Sequence, residues 1–418
     1  MLNNMRPSPF KALGPGLISG AADDDPSGIA TYTQAGVQFG YSLLWTTALT
    51  LPFMIAIQLV SGRIGRVTGH SIAGNLRRHY PRRMLYAVVL LLLTANTINI
   101  AADIAAMGEA LQLVAGGGEH GHALAFGVLL AVLQVFLSYA QLAAIFKWLT
   151  LTLFAYVGVV FTVHVPLHEV IAGILLANIT WSGGMLTTIV AVFGTTISPY
   201  LFFWQASQEV EEMRRKEKKP LINAPEAAKT ELRRIKLDTV IGMTFSSLIA
   251  LFIMLTAAAT LHLSGIRDIQ TSAQAAEALR PIAGDFAFVL FAAGIIGTGL
   301  LAVPVLAGSA AYAMAETFGW REGLDLKWFE ARGFYAIIIG ATIIGTLLDF
   351  TPIDPIKALY WSAVINGVIA VPVMALMMLL ASDPKVMGCF VLTRRGRCAG
   401  WLATAVMALA VAAMFLAP

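Results

Sequence analysis

Residues 13–39 read LGPGLISGAADDDPSGIATYTQAGVQF, two apolar stretches parted by Asp23-Asp24-Asp25-Pro26-Ser27-Gly28. Each half alone is too short for a hydrocarbon core that takes ~20 helical residues to cross. Joined, they make one span with three carboxylates, a proline and a glycine at its middle. Proline lacks a backbone donor and glycine loosens the helix, so the hydrogen-bond ladder opens there. A charge at that depth is costly and marks an ion or substrate path. Open backbone at that depth survives only where it lines a cavity, and transporters place broken helices at their binding sites. The plainer alternative is an acidic loop between two shorter segments.

Composition sets the class. The 418 residues are 58% hydrophobic and 12% charged, against roughly 25% charged in soluble domains. The chain reads as an all-α polytopic membrane protein. No small-residue cleavage site precedes the acidic break, so no removable signal peptide is expected. Cys389 and Cys398 lie in one basic segment and give neither a disulfide framework nor a strong metal signal.

Eleven spans are expected, at about 13–39, 42–61, 84–113, 123–141, 144–163, 185–212, 238–262, 285–316, 333–349, 357–381 and 399–417, with a short apolar piece at 168–178. An inside N-terminus puts 25 of the 28 Lys and Arg residues on the inner side, leaving Arg267, Arg280 and Lys357 outside. Cytoplasmic segments carry such an excess. The chain is therefore expected in the cell membrane, N-terminus cytoplasmic and C-terminus external. The run Arg214-Arg215-Lys216-Glu217-Lys218-Lys219 reads as a topology determinant, and as a lipid or partner site only secondarily.

The sixth span, MLTTIVAVFGTTISPYLFFWQASQEVEE (185–212), is broken as well, by Gly194, Pro199 and the polar Thr195, Thr196 and Ser198. Five is odd, so a second group of five spans crosses in the opposite sense to the first. Matched interruptions in two halves point to an inverted repeat with its site between the breaks. The repeats fall at about 13–163 and 185–381, with an extra helix at about 399–417, all in one transmembrane domain. Half-helix carbonyls beside an aspartate make an oxygen-rich, negative cavity suited to a cation.

These motifs resemble the NRAMP divalent-metal transporters, which have the LeuT-like fold. The family's first break reads DPGN and its sixth-span motif MPH. Asp25 and Pro26 match, whereas Gly28 stands in place of the metal-binding asparagine, Ser198 of the methionine and Tyr200 of the histidine. The resemblance implies that Asp25, Gly28, Thr195 and Ser198 surround the ion, Thr195 through its backbone carbonyl. It places Asp23, Asp24, Asp103 and Tyr200 along the pathway or behind the site. Asp103, in NIAADIAAMGEA, matches an acidic residue of the family's proton route, with Ala106 where that route has a glutamate. The pattern is most similar to the NRAMP-related magnesium transporters.

Ligand chemistry points the same way. A thioether favours transition metals, whereas carboxylate, carbonyl, hydroxyl and water favour hard ions. Mg2+ keeps several waters and binds through one or two carboxylates; Mn2+ shares its charge and geometry. The expected activity is uptake of a divalent cation, Mg2+ foremost, as a partly hydrated ion without proton coupling. The alternatives are a proton-coupled Mn2+/Fe2+ symporter and a sodium-coupled organic-solute carrier, the latter opposed by three aspartates at the break. A membrane scaffold or sensor has no use for intramembrane carboxylates. No ATP-binding loop, metalloprotease motif or soluble catalytic domain marks an enzyme, and neither a resident cofactor nor a nucleic-acid partner is expected. The seven histidines fall in loops or at segment ends.

Overall fold

The computed structural model describes residues 19–20, 22–137, 141, 149–351 and 354–417. Helices carry the architecture, and no strand occurs among the described residues. Helix α1 runs Pro26–Phe39 and α2 Leu44–Thr68, joined by the 3-10 turn Gly40–Leu43. A short α3, Ile72–His79, precedes α4 (Arg82–Ala115) and α5 (Glu119–Phe136). Next come α6 (Phe154–Thr162), reached through the 3-10 turn Leu149–Leu153, and α7 (Leu167–Leu175). The sixth span is two helices, α8 (Gly183–Thr196) and α9 (Pro199–Arg215). The set ends with α10 (Ala228–Ala257), α11 (Ala287–Phe318), α12 (Arg332–Leu348), α13 (Pro355–Ser382) and α14 (Arg394–Leu416).

Among the described residues eight helical runs are long and apolar enough to cross a bilayer, the first combining α1 and α2, and Leu151–Thr162 and α12 are shorter apolar helices. Each of the eleven expected spans therefore has a helix. Most of the first half of span one, the join between spans four and five, and Lys147 lie outside the described residues. The seventh span departs most from expectation: α10 starts at Ala228, ten residues before the expected 238. Its charged first turns stay helical because Glu231 and Arg234 bind partners on neighbouring elements.

The helices sort into two groups. In one, α1 and α2 pack against α9 and α10; in the other, α4 and α5 pack against α11 and α12. Spans one and two thus associate with six and seven, and three and four with eight and nine. Each group pairs spans five apart, as a five-plus-five duplication requires. That pairing is the one expected of a LeuT-like five-plus-five arrangement, with α14 packed outside against α2, α8 and α13.

Contacts also gather the basic residues at one end of the bundle. Buried Arg66 at the end of α2 bonds Glu231 at 3.2 Å and the Lys219 carbonyl at 2.7 Å. Arg234 pairs with Glu209, Glu212 and Glu231, Arg214 with Glu322, and Arg63 donates to the Phe390 and Val391 carbonyls. Burial, with Arg78 and Arg214 nearby, holds His70 down at about 4, so it is neutral at pH 7. At the opposite end Gln34 meets Asp268, Glu109 accepts from Ser272, and His120 meets Asp349.

Helices without side-chain bulk at their crossing approach closely, which membrane helices exploit. A Cβ on Gly194 of α8 would lie 2.1 Å from the Ala363 carbonyl oxygen of α13, and one on Gly367 2.7 Å from the Val190 carbonyl oxygen. Gly194→Ala is therefore expected to cost about 1–3 kcal/mol, the range for overpacking, read as a lower unfolding midpoint in detergent. Gly340→Ala, which meets nothing within 4 Å, serves as the control. Equal midpoints for the two variants would contradict this helix contact.

Candidate metal site

The first break forms because one side chain replaces the helix's own ladder. Residues Ala22 and Asp23 are helical, Asp24 is a bend, and Asp25 is extended at φ −73°, ψ 171°. Asp25 then caps α1: its Oδ1 accepts from the Gly28 N–H at 2.7 Å and from the Ser27 hydroxyl at 2.8 Å. An acidic N-cap followed by proline at the first helical position is a favoured helix start. The second break is built the same way in reverse. Ser198, extended at φ −83°, ψ 133°, precedes Pro199, while its hydroxyl reaches back to the Gly194 and Thr195 carbonyls at 2.8 and 2.7 Å. Those carbonyls would otherwise be orphaned at the end of α8.

The two breaks meet. Ser27 Oγ lies 3.5 Å from Thr195 Oγ1, and Tyr32 Oη 2.8 Å from Thr196 Oγ1. Tyr200 donates to the Ala22 carbonyl at 3.0 Å and stands 3.4 Å from Asp25 Oδ2. A Cβ on Gly28 would sit 3.3 Å from Thr195 Oγ1. Asp25, Gly28, Thr195, Ser198 and Tyr200 are therefore gathered around one point, and all are buried. The Ser198 hydroxyl is bonded to the Thr195 carbonyl in this conformation, which leaves lone pairs on both oxygens for an ion.

Two neighbours of Asp25 were not anticipated from the sequence, Ser27 and Asn99. Asn99 Nδ2 donates to Asp25 Oδ2 at 3.1 Å, and its Oδ1 is buried without a hydrogen-bond partner among the described residues. Asn96, Asn99 and Asp103 recur at helical spacing on α4, a polar stripe in an apolar span that could have flagged them. Asn96 is committed elsewhere, to the Leu306 carbonyl and Ser309. Asp103 is fully buried, and neither carboxylate oxygen has a hydrogen-bond partner among the described residues.

A carboxylate offers about four lone-pair positions. On Asp25, Oδ1 is doubly engaged, while Oδ2 has Asn99 and only the longer Tyr200 contact. Tyr200 has one proton and spends it on Ala22. The open valence of Asp25 is thus on Oδ2, facing Tyr200 and Asn99. Asp23 and Asp24 are set apart: both carboxylates converge on the Ser246 hydroxyl of α10, Asp24 at 3.0 Å. One hydroxyl proton serves only one of them at a time. No cluster of three or more His, Cys, Asp or Glu side chains with metal-holding geometry occurs among the described residues, so any ion here relies on Asp25 with neutral oxygens and water.

Toward the end opposite the basic residues a cavity of about 310 Å³ opens above the breaks, lined by Ala30, Gln34 and Gln38 of α1, Thr187 of α8, Tyr360 of α13 and Asp268. Gln34 bonds Asp268 and the Ile269 N–H at 2.9 and 3.0 Å, and Thr188 bonds Tyr360 at 2.8 Å. These bonds tie α1 to the 268–269 segment and α8 to α13 beside the cavity.

The fold and sequence have relatives. The chain is 27% identical over 403 residues to a divalent metal cation transporter MntH from Klebsiella pneumoniae, covering 94% of this chain and 91% of that protein. It is 28% identical over 311 residues to an MntH of Yersinia pestis, covering 71% and 70%. Among solved structures it resembles the Eremococcus coleocola manganese transporter, with a TM-score of 0.72 at 17% identity over 98% of this chain and 88% of that one. It also resembles Mhp1, a nucleobase-cation-symport-1 family transporter, with a TM-score of 0.56 at 15% identity over 96% and 92%. The Nramp family, natural resistance-associated macrophage protein-like, matches residues 16–417. The chain is a member of the Nramp family of membrane transporters.

Proposed function

We propose that this divalent metal cation transporter carries Mg2+, with Mn2+ as a second substrate, as a partly hydrated ion held at Asp25 and driven by membrane potential. The observation that supports this reading is the set of groups around the carboxylate. Every hydrogen-bond partner of Asp25 is a nitrogen or oxygen, from Ser27, Gly28, Asn99 and Tyr200. A carboxylate with neutral oxygens from its neighbours and retained water suits Mg2+. In this reading Asn99 turns its amide so that Oδ1 joins Asp25 Oδ2 on the ion, and Tyr200 holds a bound water. The basic end faces the cytoplasm, by the excess of Lys and Arg there, so the C-terminus is external and the cavity beside Gln34 and Tyr360 is the entry vestibule.

Two observations favour a proton-coupled Mn2+/Fe2+ carrier as the second reading. Asp103 is a buried carboxylate on the same stripe as Asn99, available to carry a proton. Met107, one turn on, places its sulfur near the Pro26 ring, where a Cβ on Gly299 would meet both, at 2.4 and 3.5 Å. Against it stand Tyr200 and Ala106 at positions where the family resemblance puts titratable groups.

Asp25→Ala is expected to abolish metal binding and uptake while leaving expression intact, and Asp25→Asn to be nearly as severe. Isothermal titration with Mg2+ and Mn2+ checks this; normal affinity in Asp25→Ala would remove Asp25 from the site. Gly28→Asn with Ser198→Met is expected to lower Mg2+ uptake and raise Mn2+ or Cd2+ over Mg2+. The added Cβ at residue 28 begins 3.3 Å from Thr195 Oγ1, so it narrows the space between the breaks. Unchanged ion ratios would contradict that geometry.

Energy coupling is tested separately. Moving one elementary charge through 100 mV is worth roughly 2.3 kcal/mol, so a divalent ion gains about 4.6 kcal/mol, more than a thousandfold in accumulation. In proteoliposomes holding a pH dye, metal entry under a potassium-diffusion potential is expected to leave the lumen at constant pH. Acidification that tracks metal entry, corrected for leak, would favour the second reading, with Asp103 as first candidate for the carrier.

A further inference from the structure

A groove of about 460 Å³ lies at the basic end between α2, α10 and the start of α14. Its rim carries Arg63, Lys236 and Arg395, and its α2 wall is the apolar face Pro52, Ile55 and Leu59. No acidic side chain lines it among the described residues. Lys236 and Arg395 are exposed, and neither has an ion-pair partner among the described residues. Arg63 donates only to the Phe390 and Val391 carbonyls, which leaves its charge uncompensated. The other basic cavity at this end differs. Arg77, Arg78 and Arg214 there face Glu316 and Glu322.

The start of α14 adds to the positive field. Thr393 caps it, and Arg394, Arg395 and Arg397 follow in the first turn with no acidic residue. A helix N-terminus favours negative charge, so arginines there are unfavourable unless an anion stands nearby. The groove also has the dimensions of half a bilayer. From Arg63 to Pro52 is eleven residues of α2, about 16 Å at 1.5 Å per residue. One leaflet of a hydrocarbon core ~30 Å thick is about 15 Å deep.

We propose that this groove binds one anionic phospholipid, its phosphate held by Arg63, Lys236 and Arg395 and one acyl chain lying on the α2 face down to Pro52. A cationic rim over an apolar floor one leaflet deep matches a lipid's two parts in order. A soluble phosphate would use the rim and leave the floor uncovered.

The test uses the full-length protein in non-ionic detergent, titrated with phosphatidylglycerol, phosphatidylcholine of the same chains, or glycerol 3-phosphate, with bound ligand read by native mass spectrometry. The wild type is expected to prefer phosphatidylglycerol. Lys236→Gln with Arg395→Gln is expected to bind it ~30-fold more weakly, the effect of two basic charges at about 1 kcal/mol each. Arg82→Gln with Arg83→Gln, at the same end but outside the groove, is expected to bind normally. Leu59→Trp, which fills the floor without touching the charge, is expected to lose the lipid too. Unchanged binding in the Lys236/Arg395 variant, equal loss in the Arg82/Arg83 variant, or full retention in Leu59→Trp would each overturn the proposal. Glycerol 3-phosphate binding as tightly as the lipid would assign the rim to a soluble anion and overturn it as well.

Discussion

A carboxylate buried in the middle of a membrane-spanning bundle draws its donors from within the protein. Asp25 obtains them by ending one helix and starting another. Interrupting the ladder frees the Gly28 N–H, and the extended backbone at Asp25 points Oδ1 at it. The acid and the break therefore depend on each other. Remove the acid and the start of α1 loses its cap; close the ladder and the acid loses its donor. The rest of the site follows, since α4 must bring Asn99 within 3.1 Å and α9 must start where Tyr200 reaches across to Ala22.

The same logic explains the second break without a carboxylate. At Ser198 the orphaned groups are carbonyls, and one hydroxyl lies within reach of two of them, its proton serving one at a time. One break gathers donors around an acid and the other presents acceptors. Set side by side, they leave an assembly of oxygens around a single carboxylate.

Much of this was legible in the sequence, for physical reasons. Acids, proline and glycine inside apolar runs announced both breaks, and hydropathy announced the spans. Asp25, Gly28, Thr195, Ser198 and Tyr200 could be named as neighbours because the two breaks fall in matching spans. Ser27 and Asn99 were missed because their role lies in partners 2 and 74 residues away that hydropathy does not reveal. The early start of α10 was missed for a related reason. Its charged turns looked like loop, and only the pairing of Glu231 and Arg234 with Arg66 and Glu209 keeps them helical. Local pattern reports a residue's own cost, not the neighbour that offsets it.

The backbone at the two breaks has one more consequence. Asp25 and Ser198 both sit in the ordinary extended region, and no described residue near either has a positive φ. The first break is not held in a costly conformation, whereas Ile197 beside the second sits at φ −109°, ψ 62°, between the helical and extended wells. The first therefore behaves as a joint rather than a spring: its half-helix can swing through a modest change at one or two torsions without crossing forbidden ground. Whatever resists that swing must come from the contacts spanning the gap, Tyr200 to Ala22 and Tyr32 to Thr196, each of which can be remade in a new position. At the first break a swing then needs no stored elastic energy, and its pace is set by how quickly a few polar contacts exchange partners.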